Sequence, residues 1–497
     1  PGGLIASLAI QWGFSKGDND MGGYHLLSQR DMVETAGGLI AAGAHEDARR
    51  VLLYLQATQQ PDGHWSQNMW LDGSPYWNGI QMDETALPIL LVDLARRERA
   101  LTGADAIQFW PMVRRAAGYL VRSGPVSPQD RWEEDPGYSP FTVAAQIAAL
   151  LAAADLADLS HEARVAVYLR ETADAWHSCI DRWMYASQAD WCTRFGVDGY
   201  YVRVAPKGVG TPLLHKTVHV KNVLAAQDSR VASHLVSPDA LALVRFGMRA
   251  ADDPRMRDTV KIIDELLKIE TPSGRTWHRY NDDGYGEHED GAPFDGTGIG
   301  RGWPLLTGER AHYELACGRL EAATQLLTMM EAFANEGGLI PEQVWGVADI
   351  PERELHAGRP SGSAMPLVWA HAEYLKLRRS LRDGRLFDLP PQPVQRYLVE
   401  NTVSPRLAWR FNHKIRSLPA GKTLRIETLA ASRIHWSADD WHSVQDLSSH
   451  DTGLGVHIAD LPTRALAEGT RIRFPFHWPA ADRWEGTDFV VRIGPST

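Results

Sequence analysis

Arg131-Trp132-Glu133-Glu134-Asp135-Pro136-Gly137-Tyr138-Ser139-Pro140 sets two adjacent carboxylates between a tryptophan and a Pro/Gly turn, and an apolar helical run follows from Phe141. Carboxylates held between an indole and a helix start sit where burial and local dipoles pull pKa values apart, which suits a general acid. A solvated acidic loop would carry the same residues, because perturbed acids are the minority among Glu-Glu pairs. A second stretch weighs against that bland alternative: Gly337-Gly338-Leu339-Ile340-Pro341-Glu342-Gln343-Val344-Trp345 places a lone glutamate between a proline and a tryptophan. Both stretches lie in long links between helical runs, and that alternation indicates the fold class.

Apolar positions recur at helical spacing over about 30–43, 45–59, 83–98, 108–123, 141–158 and 162–185. They recur again over about 238–249, 254–269, 307–318, 319–334 and 363–382. Residues 1–12 read as a short apolar segment, helix or strand, and Gly13 to Tyr24 as a polar, glycine-rich loop. Residues 189–235 break the pattern with strand-like or irregular sequence. Some links are tight turns, whereas Pro61 to Gln81 and Thr271 to Pro304 are long and rich in Gly, Asp and Trp. About twelve helices joined alternately by short and long links are what a closed ring of paired helices would show, its long loops gathered at one end around a pocket. No fixed-period repeat favours a solenoid.

From Asp383 the character changes. Leu389-Pro390-Pro391-Gln392-Pro393 reads as a stiff linker. Beyond it, short alternating segments at 407–411, 424–429, 433–436, 455–458, 471–476 and 489–493 have the spacing of a small antiparallel β-sandwich. The expected organisation is a helical-barrel domain over 1–385, a linker over 386–396 and an all-β sandwich domain over 397–497.

Eighteen tryptophans against twelve phenylalanines is the unusual feature of the composition. Trp70, Trp77, Trp132, Trp303 and Trp345 fall in Gly/Pro/Asp-rich links, where a flat indole with one polar edge suits stacking on a sugar ring. Core packing would account for indoles inside helical runs. A net charge of −11 and a pI near 6.0 leave no basic field, which argues against a nucleic-acid partner. No uninterrupted apolar run reaches the roughly 18 residues that a membrane helix needs, so no membrane partner is expected. Cys179, Cys192 and Cys317 form no CxxC pattern, and free, buried thiols are expected over a Cys179–Cys192 bridge. The chain starts on Pro1 with no initiating Met and no visible signal peptide, which suggests a processed or trimmed product.

With the two glutamate stretches in place, residues 2–382 resemble the catalytic domain of glycoside hydrolase family 15, the glucoamylase and glucodextranase family. The matching stretches are Gly22 to His25, Arg30-Asp31, Gln67 to Trp70, Tyr76 to Gly79, Gln81 to Glu84, Arg131 to Pro140, Trp303 to Arg310, Gly337 to Trp345 and Gly358 to Ala364. They occur in the family's order across nearly the whole domain. The resemblance implies an (α/α)6 barrel, and the segment after 396 is similar to the β domain that follows the barrel in glucodextranases. The large N-terminal β domain common in bacterial members is absent from this chain and is expected as a separate or removed unit. The implied activity is inverting, exo-acting hydrolysis of α-glucans from non-reducing ends with release of β-glucose, the α-1,6 link favoured over α-1,4. The implied partner is an α-glucan and the implied location secreted or periplasmic. A transglucosylase on the same fold is the nearest chemical rival, and a carbohydrate-binding relative without turnover is the rival of another class. A helical-barrel isoprenoid cyclase or a farnesyltransferase-like protein would need an Asp-rich prenyl motif or zinc ligands, which are not found.

The residues alone leave open which of Glu133 and Glu134 is the acid. By resemblance Glu133 is the general acid and Glu342 the general base, with Glu134 and Trp132 touching substrate. Arg30 and Asp31 match the pair that grips the O4 and O6 end of the terminal glucose. Tyr24 matches a tyrosine near the base, while Trp77, Gln81 and Asp83 match a Trp-x3-Gln-x-Asp segment beside the acid. Arg301 and Trp303 match further pocket residues. Chemistry asks for a raised pKa at Glu133, from Trp132 and a like-charged neighbour, and for a Glu342 that stays ionised. Ser28-Gln29-Arg30-Asp31 stands where the family commonly has Trp-Pro-Arg-Asp, and loss of that indole is expected to enlarge or re-polarise a wall of the pocket. No cofactor is required. The acidic loop Asn281 to Asp295 offers oxygen ligands, so a structural Ca²⁺ near Asp282, Asp283 and Asp290 is compatible with the sequence, although EF-hand spacing is missing.

Overall fold

The computed structural model describes residues 2–8, 11–12, 22–208 and 213–495. Its helical part is a ring. Helices α1 (Gln29–Ala41), α3 (Met82–Arg97), α5 (Pro140–Leu159), α7 (Ala242–Arg245), α9 (Pro304–Ala316) and α11 (Val368–Asp383) each pack on the next, and α11 returns to α1 to close the circle. Helices α2 (His45–Thr58), α4 (Trp110–Ser123), α6 (Ala163–His177), α8 (Pro254–Leu267) and α10 (Leu320–Ala332) stand outside it. This is the closed ring of paired helices that the alternating links suggest, and the (α/α)6 barrel that the family resemblance implies.

Burial separates the two layers. In α2 only Ala48, Val51, Leu52 and Leu55 are buried, a single stripe at helical spacing that faces the ring. In α5 every residue from Pro140 to Ala157 except Asp155 is buried, because the helix is covered on all sides. Gln146 and Asp155 interrupt its apolar run, yet by mean hydropathy α5 is long and apolar enough to cross a membrane. Since 94% of that window is buried inside the barrel, packing explains its composition. The ring closes tightly at one crossing: a Cβ on Gly38 of α1 would stand 2.9 Å from the Ala372 Cα of α11.

The shorter links, 42–44, 98–109, 160–162, 246–253 and 317–319, follow inner helices; the long ones, 59–81, 124–139, 178–241, 268–303 and 333–367, precede them. All the long links therefore gather at the N-terminal ends of the inner helices, where unpaired N–H groups and helix dipoles favour carboxylates. At the opposite end, Arg245 of α7, Lys376 and Glu373 of α11 and Asp388 form a buried ion network, with Arg245–Asp388 at 2.6 Å and Lys376–Asp388 at 3.1 Å.

Residues 2–8 form neither helix nor strand, and most of the glycine-rich loop expected over 13–24 lies outside the described residues. The irregular region carries two small hairpins, Tyr185–Ala186 with Tyr200–Tyr201 and Thr217–His219 with Ser229–Val231. The segment 386–396 is packed along its length: besides Asp388, Arg396 binds Asp174 at 2.6 Å, and Tyr397 just beyond stacks on His177.

The C-terminal region is built of short strands in three sheets. It departs from the all-antiparallel arrangement expected. Thr423–Thr428 pairs parallel with Arg406–Arg410, and Ser417–Pro419 pairs parallel with Phe489–Gly494. Alternating apolar and polar residues specify which face is buried but not the direction of the neighbouring strand, so the sequence pattern is blind to this difference. The C-terminal region rests on outer helix α4 and on the loop before α5: Arg410 donates to the Val121 carbonyl at 2.7 Å and Tyr138 meets His413 at 3.1 Å. All three cysteines are free, and only Cys179 is fully buried.

Candidate active site

At the N-terminal ends of the inner helices the long loops enclose a cavity of about 380 Å³, within the range of small-molecule sites. Arg30 and Asp31 enter it from the first turn of α1, Trp77 from the loop before α3, and Trp132, Glu133 and Glu134 from the loop before α5. Trp303 comes from the residue before α9, Glu342 from the loop before α11, and Tyr24 from the segment before α1. Residues spread over most of the chain's length thus meet in one place.

The acidic stretch is held by two buried arginines. Arg131 donates to Asp239 at 2.8 Å and to both oxygens of Glu309 at 2.7 and 3.0 Å, while its plane lies over Trp132 and Phe141. Arg203 donates to Asp130, Glu134 and Asp135 at 2.7–2.8 Å. Glu134 also accepts from Arg279 at 3.1 Å and from the Tyr280 hydroxyl at 2.6 Å. Burial nevertheless pushes the Glu134 carboxyl up to about 6, against the pull of Arg279 and Arg203. With its oxygens occupied by these donors, Glu134 serves as a fixed wall.

Glu133 has another setting. Its backbone has φ +65°, a left-handed conformation that a glutamate adopts only under constraint, and Gln129 and Lys221 hold its carbonyl at 3.4 and 2.9 Å. That turn aims the carboxylate into the cavity, where Arg30 approaches Oε1 at 3.4 Å and Gln67 donates to Oε2 at 2.7 Å. The side chain is 34% exposed. Trp132, expected to cover it, turns its indole N–H to Asp239 and its ring edge to Trp303.

Glu342 is fully buried. Its Oε1 accepts from the Tyr24 hydroxyl, which also meets the Tyr285 hydroxyl at 3.2 Å, and its Oε2 has no protein partner among the described residues. Burial pushes this carboxyl up to about 7, with the Tyr24 hydrogen bond and Arg279 pulling the other way. Burial thus opposes the ionised form that a base needs, while the Tyr24 hydrogen bond and the Arg279 charge favour it. Burial likewise raises Asp31 to about 6, opposed by Arg30.

Three residues expected to touch substrate stand one layer back. Gln81 and Asp83 are buried behind Arg30 and accept from its Nη1 at 2.5 and 3.2 Å, so they orient the guanidinium. Arg301 lies against Trp345 and donates to the carbonyls of Glu287 and His288. A sequence motif marks that residues belong to a site but not which layer they occupy. Ser28 and Gln29 are also outside the cavity, because Ser28 donates to Glu84 at 2.7 Å and Gln29 is buried against Met69. The indoles of Trp12 and Trp369 line the cavity wall. The suggested calcium site does not form: Asp282 pairs with Arg230, Asp283 with Arg279 and Asp290 with Arg353, and no metal-binding cluster exists among the described residues.

Sequence reading missed Arg279, Tyr285, Trp12, Trp369 and Lys221 in the cavity wall. Arg279 sits just ahead of the acidic loop, a placement that could have marked it. Trp369 has the spacing of a core residue in α11 and gave no such signal.

The model of the family described as glycosyl hydrolases family 15 matches residues 62–379. The chain is 40% identical over 399 residues to a glucoamylase of Clostridium sp. (strain G0005), covering 80% of this chain and 53% of that protein. A solved bacterial glucoamylase complexed with acarbose is 38% identical, with a TM-score of 0.72 over 80% of this chain and 55% of that one. The chain thus spans about half the length of these relatives. The glucoamylase from Saccharomycopsis fibuligera, 16% identical with a TM-score of 0.53 over 77% of this chain and 89% of that one, shares the fold.

Proposed function

The chain belongs to glycosyl hydrolases family 15, and on that premise we propose that it removes glucose from the non-reducing ends of α-glucans with inversion at the anomeric carbon. The observation that carries this reading is the pairing of a constrained Glu133 with a buried Glu342 around one cavity, Glu342 keeping one oxygen free of protein donors among the described residues. Glu133 gives its proton to the glycosidic oxygen. Glu342 takes a proton through Oε2 from a water that attacks the opposite face of the sugar, which asks for carboxyl groups about 6.5–9.5 Å apart. Arg30 and Asp31 bind the hydroxyls of the terminal glucose, and charged hydrogen bonds of this kind reject a sugar that lacks them. Proton transfer between carboxyl groups and water needs no cofactor. Preference for α-1,6 over α-1,4 links belongs to the same proposal and rests on the resemblance of the motifs to glucodextranases. So does a place outside the cytoplasm, where polymeric glucans are met.

Initial rates on isomaltose, maltose, dextran and starch, with the anomer read by proton NMR in the first minutes, test it. Free β-glucose should appear first. Early α-glucose, or cuts within the polymer, would overturn the mechanism.

Tyr24→Phe tests the base separately. Glu342 must be ionised to act, so kcat/KM falls as pH drops through its pKa. The Tyr24 hydrogen bond holds that pKa down, so the variant's acidic limb should move to higher pH, by about one unit for a lost bond to a charged group. A pH profile with an unmoved acidic limb would remove Glu342 from that role.

A further inference from the structure

The irregular region between α6 and α7 takes no part in the ring, yet one of its hairpins, Thr217–His219 with Ser229–Val231, brings a cation to the acid. Lys221 stands just past the first of these strands and lines the cavity. Among the described residues its ammonium makes no ion pair and one hydrogen bond, to the Glu133 carbonyl at 2.9 Å. A lysine at a surface ordinarily keeps its strongly hydrated head in water or sets it against a carboxylate. Here the head is set on the backbone of the residue that delivers the proton.

The hairpin that carries Lys221 is tied down on every side. Val220 is buried, and its N–H donates to the Asp228 carbonyl at 2.7 Å. Arg230 of the second strand donates to Asp282 at 2.7 Å. The Asn222 carbonyl accepts from the Gly298 N–H at 3.2 Å and packs on Gly284 so closely that no Cβ would fit there. Gly284 adjoins Tyr285, whose hydroxyl meets that of Tyr24 beside Glu342. Lys221 is therefore anchored to the loop on the base's side of the cavity and reaches across to the acid's side. The acid needs such a hold, because a glutamate at φ +65° returns to an ordinary conformation unless its surroundings prevent it. Gln129, the other donor to that carbonyl, stands at a long 3.4 Å.

Resting on the function proposed above, we propose that Lys221 is a positioning residue for the acid: its ammonium holds the Glu133 backbone in the left-handed turn that aims the carboxyl group at the glycosidic oxygen. Lys221 acts through Glu133 and takes no part in the proton transfer itself.

Leaving-group chemistry provides the test. A sugar oxygen needs the acid's proton to depart. Fluoride is a weak base and leaves with the electron pair of its carbon–fluorine bond, while a water that gives its proton to Glu342 bonds to the carbon. Values of kcat and KM are measured for the whole chain and for Lys221→Met on α-glucosyl fluoride and on the better cleaved of isomaltose and maltose. Lys221 is exposed, so methionine leaves the fold intact. The disaccharide-to-fluoride ratio of kcat should fall about tenfold in the variant, a part of the 10²–10⁴ that a positioned acid supplies, with KM for the disaccharide changed by less than about twofold. A ratio within about twofold of the unaltered protein, whether both rates hold or both fall, overturns the positioning role and leaves the hydrolase reading standing. A loss confined to KM overturns it too, and makes Lys221 a sugar contact. If the unaltered protein cleaves neither kind of substrate, the hydrolase reading has failed and the role of Lys221 falls with it.

Discussion

Glu342→Gln should lower kcat on an α-glucan by about a thousandfold, in the middle of the 10²–10⁴ range for a positioned base. The amide keeps the shape of the carboxyl and a carbonyl oxygen for the Tyr24 hydroxyl, but it cannot take a proton from water. Folding should not suffer. Burial raises the Glu342 carboxyl in the folded protein to about 7 from an ordinary 4.5. Between those values the folded state holds more protons than the unfolded one, so ionising Glu342 costs stability as pH rises. The glutamine variant escapes that cost, and its Tm at pH 8 should equal or exceed that of the unaltered protein. Glu133→Gln should lose kcat on the same scale for the opposite reason, since no proton is available for the leaving oxygen. The double variant should be little worse than either single one, because the two groups act as a unit. Retention of more than a tenth of kcat by either single variant would sink the pairing.

The second large effect concerns stability. Arg203 is fully buried and is the shared guanidinium partner of Asp130, Glu134 and Asp135. Arg203→Met fills most of the volume and leaves three buried carboxylates without that partner, a loss of about 3–5 kcal/mol for a broken buried ion pair. The sign of the pH dependence identifies the cause. Arg203 pulls down the pKa values of Glu134 and Asp135. Without it these groups hold protons to higher pH in the folded state, so the variant should lose stability as pH rises and regain part of it under mild acid. Urea unfolding at pH 5 and pH 8 would show this, whereas a loss independent of pH would point to packing.

Much of the barrel was legible because inner and outer helices obey one periodicity and the links announce their length. The helix read over 30–43 is Gln29–Ala41, and that over 83–98 is Met82–Arg97. Errors occur where local pattern and local backbone part company. One helix read over 162–185 is two, Ala163–His177 and Ile180–Met184, although apolar spacing runs through the break. The run expected from 363 starts at Val368, because Pro366 restrains the residue before it and the backbone of Ala364 is engaged by Glu342. The residues from 238 enter through the 3-10 turn Pro238–Leu241 before the single α turn of Ala242–Arg245. In the site, motifs found the two glutamates, Tyr24 and the Arg30–Asp31 pair. They could not separate Asp83, whose ligand is Arg30, from residues facing the cavity, nor show that Arg279 binds Glu134 while its charge also favours the ionised form of Glu342. Those facts depend on partners far along the chain.

The last inner helix closes against the first, and the chemistry sits on that seam. Tyr24 precedes α1 in the order of synthesis, and its partner Glu342 follows more than three hundred residues later. A growing polypeptide emerging from the ribosome therefore carries a complete acid loop but no working centre until the final turn of the circle is laid down. Catalytic competence arrives with closure, so a fragment that stops short of α11 would be both inert and left with the unsatisfied face of α1 open to its neighbours.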